Sequence, residues 1–444
     1  MLKSFRNLFY KSEKQPEKKA EPQPIANDFD RWTELPPEIM RKIFAMLDSQ
    51  SDLRAVSLVC RYWNSLTRDP LLWMNAFVDP PDEAPFVFIP STVLGTREVT
   101  LDPKRENWKE LVLNSIPLES LTDVFDWGLE SGYVFVRKGV HDFHRHLSVP
   151  SSFDLNITIM GVSREESVIQ CHNEGFIRYF STAGMITIKN LTITQKKVDT
   201  DGDSISWVIS STGCGPNMQN CNIRAVFGAF GFRSENSTAT IRNCDFSSET
   251  SSGVFSMMNA RPTFVNCKVH DCKMSGKSQQ FVFHSNSSFI LLFFPHSQGF
   301  EMTSGSNLTI TSCDLYNNQS GFFFYDSAKG AVTKCNVHHN SISGCFVRSD
   351  ANPTITDTTF HDNSYGIIAD DNGSGLFLNT TFHTNDSAGV IFKSSSSTEI
   401  KNSKIYNNGV GGKSKNIQIS FYFISDLFSF SLYLFNPFKI YLFT

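Results

Sequence analysis

A period of 22 or 23 residues runs through the second half of the chain and constrains the fold more than any other feature. Nine short segments repeat between residues 218 and 408, and each is marked by the residue two places before a recurrent apolar position. The markers are Cys221, Cys244, Cys267, Ile290, Cys313, Cys335, Thr358, Thr380 and Ser403. A fixed period in this range is typical of a solenoid, whose repeats stack and share one core.

The residue types within each repeat predict strands. Apolar, polar and apolar residues alternate in short runs rich in Ile, Val, Phe and Thr, and Asn and Gly bound these runs. The repeats are too short for helices with apolar residues at three- and four-residue spacing. We therefore predict a mainly β fold, a parallel β-helix with coils of 22–23 residues. The segment at Ile290 departs from the pattern at Ser287 and Phe289, but its spacing is intact, so it is predicted as a coil like the others.

Length and charge exclude some functions. The chain has 444 residues, enough for two or three domains, and carries a net charge of −4. No basic stripe follows the repeats, so no nucleic-acid partner is expected. Residues 1–10 lack a secretory signal, and five of the ten cysteines are markers. These features predict free, buried thiols in a reducing compartment, cytoplasmic, nuclear or both.

A helical segment precedes the repeats. Pro37 suits a first helical turn, and Ile39, Ile43 and Leu47 recur on one face of the helix that follows. A second helix begins near Asp52, a third carries Trp63, and the pattern breaks before residues 71–73. Three helices in about 45 residues can bury only a small core, so apolar surface should remain exposed for a partner.

These helices resemble the F-box family. The resemblance rests on Leu35-Pro36-x-Glu38-Ile39, Ile43-Phe44-x-x-Leu47, Val56-Ser57-Leu58-Val59-Cys60-Arg61-x-Trp63 and Pro70-Leu71-Leu72-Trp73. It implies docking onto the Skp-type adaptor of a cullin–RING ubiquitin ligase, by burial of an apolar helix face. The residues that it implies as contacts or supports are Leu35, Pro36, Ile39, Ile43, Leu58, Val59 and Trp63. Some of them, Trp63 especially, could serve the core of the module instead.

Together the two parts resemble F-box-only proteins whose substrate domain is a right-handed parallel β-helix, built from the repeats of carbohydrate-binding proteins and sugar hydrolases. The resemblance implies a non-catalytic substrate receptor of an SCF-type ligase that binds an unknown protein target. The alternative is a glycan-binding or polysaccharide-cleaving β-helix that uses its F-box only for interactions. The predicted divisions are a disordered tail (1–28), an F-box (29–77), a connector with a short helix (78–118), a β-helix (119–412) and an atypical Phe/Tyr-rich tail (413–444).

Residues at one repeat position should line up along the solenoid. The position three after the marker is expected to face outward and is our candidate substrate-binding row: His270, Tyr316, His338, His361, His383 and Tyr406. Such rings can hold a peptide or sugar, or stack simply to stabilise the sheet. Two places further, a row of Asn residues is predicted to be structural, because Asn tolerates left-handed backbone and stacked amides bond to each other.

Acidic residues at Asp326, Asp350, Asp370 and Asp371 drift between repeats, and no paired-acid motif accompanies them. We assign them to surface turns and predict no metal site, no cofactor and no catalytic residue. The final segment contains Asp426 and Asn436-Pro437, so it is a marginal membrane candidate and no membrane partner is expected. Our leading interpretation of this segment is non-native sequence, and a last strand or cap is the other alternative.

Overall fold

A computed structural model gives the architecture of most of the chain. It describes residues 35–47, 50–78, 84–94, 99, 107–151, 154–197, 206–273, 282–285, 288–291, 297–393, 395–409 and 417–419. The tail predicted for residues 1–28 lies outside these ranges, and so does the segment 413–444 apart from residues 417–419. No described helix has the length and apolar content needed to cross a membrane.

The N-terminal module contains one helix more than the sequence predicted. Its helices are α1 (Pro37–Phe44), α2 (Gln50–Ser57), α3 (Arg61–Leu66) and α4 (Pro70–Val78). Pro70 interrupts the apolar pattern but begins α4, because the fixed φ of proline and its missing N–H suit the first helical position. Pro37 begins α1 in the same way.

The segment that follows the module lies at the edge of the first coil of the solenoid. It contains β1 (Phe86–Pro90), α5 (Ser91–Leu94), α6 (Trp108–Leu113), β2 (Ile116–Leu118) and α7 (Asp123–Asp126). Strand β1 pairs antiparallel with β2 and with β3 (Ser131–Val136). Helix α7 has only four residues. Strands β1 and β2 cover the edge that would otherwise be open to other chains.

Three parallel sheets form the faces of the solenoid, and each coil contributes one strand to each sheet. Beyond β1 and β2, sheet A consists of β3 and of β6 (Asn156–Gly161), β9 (Met185–Lys189), β12 (Asn217–Gln219), β15 (Thr240–Arg242), β18 (Thr263–Val265), β23 (Asn307–Thr311), β26 (Lys329–Thr333), β29 (Asn352–Thr356), β32 (Ser374–Leu378) and β35 (Ser397–Lys401). Sheet B consists of β4 (Gly139–Phe143), β7 (Ser167–Cys171), β10 (Thr192–Gln195), β13 (Asn222–Ala225), β16 (Asp245–Ser248), β19 (Lys268–His270), β24 (Asp314–Tyr316), β27 (Asn336–His338), β30 (Thr359–His361), β33 (Thr381–His383) and β36 (Ser403–Tyr406), with β37 (Ile417–Ile419) antiparallel at its edge. Sheet C consists of β5 (Leu147–Val149), β8 (Ile177–Tyr179), β11 (Ile209–Ser211), β14 (Phe230–Phe232), β17 (Val254–Ser256), β22 (Phe300–Met302), β25 (Ser320–Phe324), β28 (Ser343–Val347), β31 (Tyr365–Ala369) and β34 (Ala388–Phe392).

The fold class predicted from the 22–23-residue period is confirmed, with about eleven turns, but the coil predicted at Ile290 is wrong. Strand β19 pairs directly with β24, and Val269 lies opposite Leu315. Ile290 instead lies in β21 (Ser288–Leu291), which pairs antiparallel with β20 (Val282–Ser285) and places Ile290 opposite Phe283. The spacing stayed regular because this insertion has the length of one coil, so the step from Cys267 to Cys313 is twice 23 residues.

Rows of buried side chains hold the coils together. In sheet B the core row from Ile223 to Phe382 is fully buried, and it includes the stacked pair Phe360 and Phe382, whose ring centroids are 5.3 Å apart. The five marker cysteines are buried and free, as the sequence predicted. Glycine recurs where coils approach closely: a Cβ on Gly366 would lie 2.2 Å from the carbonyl oxygen of Gly389.

The asparagine row forms a buried ladder of amides. Asn340 Nδ2 donates to Asn363 Oδ1 at 2.8 Å, and Asn363 Nδ2 donates to Asn385 Oδ1 at 3.1 Å. The predicted structural role is confirmed, but the reason offered from left-handed backbone is wrong. The left-handed residues precede the row by one position, and they are Asn317, His339, Asp362, Thr384 and Asn407. The row itself uses its amides to satisfy buried backbone groups.

Candidate binding surfaces

The F-box module exposes much of its apolar surface. Leu58 is 83% exposed, Ile39 is 44% exposed, and Val59 is 42% exposed. Of the other predicted adaptor contacts, Pro36 is exposed, whereas Leu35, Ile43 and Trp63 are half-buried. Exposed apolar side chains on one small module are typical of a surface that a partner covers.

The half-buried members of the predicted set also support the module itself. The rings of Trp63 and Phe44 meet edge to face with centroids 5.5 Å apart. The backbone carbonyl of Leu35 accepts a hydrogen bond of 3.1 Å from the hydroxyl of Tyr62. Trp63 therefore packs α3 against α1. The sequence had left open whether Trp63 serves the core of the module, and this contact shows that it does.

Two exposed apolar residues lie outside the predicted set. Met46 is 72% exposed at the end of α1, and Leu71 is 49% exposed in α4. Leu71 belongs to the F-box motif and was not chosen because the sequence predicted no helix there. Met46 follows Ile39 by seven residues and Ile43 by three, so the helical apolar pattern of Ile39, Ile43 and Leu47 includes it and could have identified it.

The predicted His/Tyr row is a continuous stack of six rings on the outer side of sheet B, which we call the ring column. Its members, in order along the solenoid, are His270, Tyr316, His338, His361, His383 and Tyr406. Successive centroids are 4.7, 5.3, 5.0, 5.0 and 5.2 Å apart, and neighbouring planes differ by at most 14°. The spacing follows from the distance between neighbouring strands, about 4.8 Å.

Hydrogen bonds to acidic side chains fix several rings of the column. His270 contacts Asp245 through Nε2 at 2.6 Å and Asp271 through Nδ1 at 2.7 Å. His338 Nε2 lies 3.1 Å from Asp314, and His361 Nδ1 lies 2.6 Å from Asp362. These contacts orient the rings, because each carboxylate holds one ring nitrogen in a fixed direction.

The proton affinities of the histidines differ along the column. Burial lowers the pKa of His338 and His383, and the charge of His361 lowers both further. Burial would also lower the pKa of His270, but its hydrogen bonds to Asp245 and Asp271 outweigh burial and raise it. The end of the column at His270 therefore retains positive charge at a pH where His338 and His383 are neutral.

The acids of the repeats lie in tight turns. Asp326, Asp350 and Asp371 have positive φ, and an oxygen of Asp370 accepts the backbone N–H of Asp371 at 2.9 Å. Asp371 also pairs with Arg348 at 3.2 Å. Within the described residues, no group of three His, Cys, Asp or Glu side chains is placed to hold a metal ion.

A cavity that the sequence did not predict adjoins the ring column at His270. It has a volume of about 740 Å³, and its lining includes Arg224, Ser247, Glu249, His270 and Lys273. Arg224 and Ser247 occupy the ring position on the two preceding coils, and Arg224 is exposed. The signal available in the sequence was the absence of a ring at these two repeats.

The architecture is that of a β-solenoid preceded by a helical interaction module. A family model described as the right-handed beta helix region matches residues 174–292 and 298–421, and the chain belongs to this family. A second model, described as F-box-like, matches residues 32–79. No curated protein sequence matches the chain significantly.

Solved structures with similar coordinates are distant from this chain. The A-module of mannuronan C-5 epimerase AlgE6 from Azotobacter vinelandii is 12% identical, with a TM-score of 0.42, over 65% of this chain and 81% of that one. Pectate lyase Pel9A is 11% identical, with a TM-score of 0.35, over 67% of this chain and 76% of that one.

Proposed function

We propose that this protein is a substrate receptor of an SCF-type ubiquitin ligase, acting in the cytoplasm, the nucleus or both. The single observation that carries the proposal is the exposed apolar face of an F-box-like module, with Leu58 83% exposed. Burial of such a face against helices of a Skp-type adaptor would tether the chain to the cullin–RING enzyme.

In this proposal the β-helix binds the target protein and carries out no bond chemistry. Its contribution is to raise the effective concentration of the target beside the ubiquitin-loaded enzyme. The ring column offers a long outer surface for this purpose, with acidic side chains at its edges. The predicted row from His270 to Tyr406 is accordingly the proposed target-binding surface.

The test is capture of the full-length protein by purified Skp-type adaptor. We expect Leu58→Glu to weaken capture at least tenfold, because a carboxylate would be buried in an apolar interface without a partner. Leu113→Glu is the matched control, since Leu113 is 45% exposed on α6, outside the F-box. Equal capture of both variants, or no capture of the wild-type protein, would refute the proposed function.

A second candidate is a glycan-binding or glycan-cleaving solenoid that uses its F-box only for interactions. The observation that favours it is the ring column, because flat rings bordered by carboxylates are suited to sugars as well as to peptides. Saccharide binding on a glycan array, abolished by His383→Ala and accompanied by failed adaptor capture, would support this candidate over the ligase.

A further inference from the structure

The ring column stops at His270, although sheet B continues in register for several more strands. Ser247 lies opposite His270, Arg224 lies opposite Ser247, and Thr194 lies opposite Arg224. Ser247 therefore occupies the next position of the stack with a side chain too small to fill it. The cavity of about 740 Å³ opens at this position.

The open position has the dimensions of one missing ring. Two strand steps separate His270 from Arg224, which corresponds to about 10 Å. A planar group halfway between them would lie about 5 Å from each strand position, the spacing found between neighbouring rings of the column.

Two planar groups border this gap, the imidazole of His270 and the guanidinium of Arg224. His270 is clamped between the carboxylates of Asp245 and Asp271, at 2.6 and 2.7 Å, so its ring plane is fixed. The guanidinium of Arg224 makes no hydrogen bond or ion pair with any residue that the structure describes, so it can stack on a ligand. Cationic planar groups attract the electron-rich faces of aromatic rings.

We propose that the cavity binds one tyrosine or tryptophan side chain of the target protein, inserted at the level of Ser247 between His270 and Arg224. This assignment rests on the proposed receptor function and names the side chain that the receptor recognises. The lining combines the basic side chains of Arg224 and Lys273 with the acidic side chains of Asp271 and Glu249, so it offers no one-sided charge that would select an acidic or a basic side chain over an aromatic one.

The experiment uses the full-length protein and two capped tripeptides, acetyl-Gly-Trp-Gly-amide and acetyl-Gly-Leu-Gly-amide. The Trp peptide is expected to shift the imidazole C–H resonances of His270 upfield in a saturable manner, through the ring current of the inserted indole. The Leu peptide is expected to cause no such shift. Equal shifts with both peptides, or no shift with either, would overturn the proposal.

Variants locate the binding position. Ser247→His should extend the ring column into the gap and weaken Trp-peptide binding at least tenfold. Arg224→Gln should weaken it about three- to fivefold, the size of an exposed cation–π contact. The matched control is Arg242→Gln, since Arg242 is an exposed arginine on sheet A. Unchanged binding by Ser247→His, or binding of adenosine monophosphate in place of the Trp peptide, would contradict the assignment.

Adaptor capture of the same variants separates this proposal from the ligase function. The adaptor should capture the Ser247→His variant and the wild-type protein equally well. Adaptor capture without a Trp-peptide shift would overturn the cavity assignment alone. Peptide binding without adaptor capture would support the cavity assignment and refute the ligase function.

Discussion

Single buried side chains connect one coil to the next in this solenoid, and Asn363 is the clearest example. Its Oδ1 accepts from the backbone N–H of Asn340 at 3.0 Å and from Asn340 Nδ2 at 2.8 Å. Its Nδ2 donates to the carbonyl of Val337 at 3.0 Å and to Asn385. One fully buried amide thus joins three coils and satisfies backbone groups that water does not reach.

We predict that Asn363→Ala destabilises the protein by about 2–4 kcal/mol, because it leaves a buried N–H and a buried carbonyl without a partner. The comparison variant is Asn408→Ala, at the half-buried last rung of the ladder, where water can replace the lost bonds. Urea unfolding followed by circular dichroism should show the larger loss for Asn363→Ala. Equal losses would mean that the ladder does not depend on burial.

The cysteines provide a second prediction at the residue scale. Burial raises the pKa of Cys272 and of Cys171 to about 12, so little thiolate forms at neutral pH. Cys60 and Cys214 are the partly exposed cysteines of the chain. We expect iodoacetamide to alkylate these two in the native protein and all ten after denaturation, as measured by intact-protein mass spectrometry. Rapid native labelling of a marker cysteine would contradict the buried arrangement.

At the scale of elements, the histidines of the ring column make the stability of sheet B depend on pH. The dependence has one sign at His338 and His383 and the opposite sign at His270. His338 and His383 have a lowered pKa, so their contribution to stability is present above about pH 6.5 and is lost as the pH falls. His270 has a raised pKa in the folded protein. Its contribution to stability is therefore present at acidic pH and is lost as the pH rises through this raised pKa.

We therefore predict that His270 titrates at a higher pH than His338 and His383 in a histidine C–H NMR titration. Asp245→Asn should lower the pKa of His270, because it removes a carboxylate 2.6 Å from Nε2. Asp326→Asn, in a turn away from the column, is the control and should leave the order unchanged. An earlier titration of His383 than of His270 on lowering the pH would be incompatible with this arrangement.

The elements also show how far the period alone can be read. It predicted the strands of sheet B, because alternating apolar residues at a constant step fit a stacked coil. At Ile290 the same alternation belongs to a hairpin, and an insertion of one coil length leaves the step unchanged. The substitutions at Ser287 and Phe289 were the local sign of the difference. The cavity at Ser247 was not predicted, because its sequence signal, two repeats without a ring, fits equally well a row of rings that simply ends.

For the whole molecule, the decisive contacts join the F-box module to the solenoid. A shared core combines Phe44 and Trp73 of the module with Trp108 of α6 and Phe135 of β3. The face of β3 that points away from the solenoid core thus supplies apolar surface that the small module lacks. The sequence could not show this, because the contacts join segments that are distant in the chain. This shared core predicts that the ring column keeps a fixed position relative to the proposed adaptor-binding face.

The junction can be tested with two matched core truncations. The ring centroid of Phe135 lies 4.8 Å from that of Phe77 in α4. Phe246 lies in the solenoid core, and Phe135 and Phe246 are both fully buried. Each Phe→Ala change should cost about 3–5 kcal/mol of unfolding free energy. We predict that Phe135→Ala alone deprotects the amides of α4 and α6 in hydrogen exchange, because it opens the shared core beneath them.

Loss of protection in these helices for Phe246→Ala as well would show that the module and the solenoid unfold as one unit. Unchanged protection in Phe135→Ala would show that the module is stable without the solenoid, and that the ring column is not held at a fixed position relative to the adaptor.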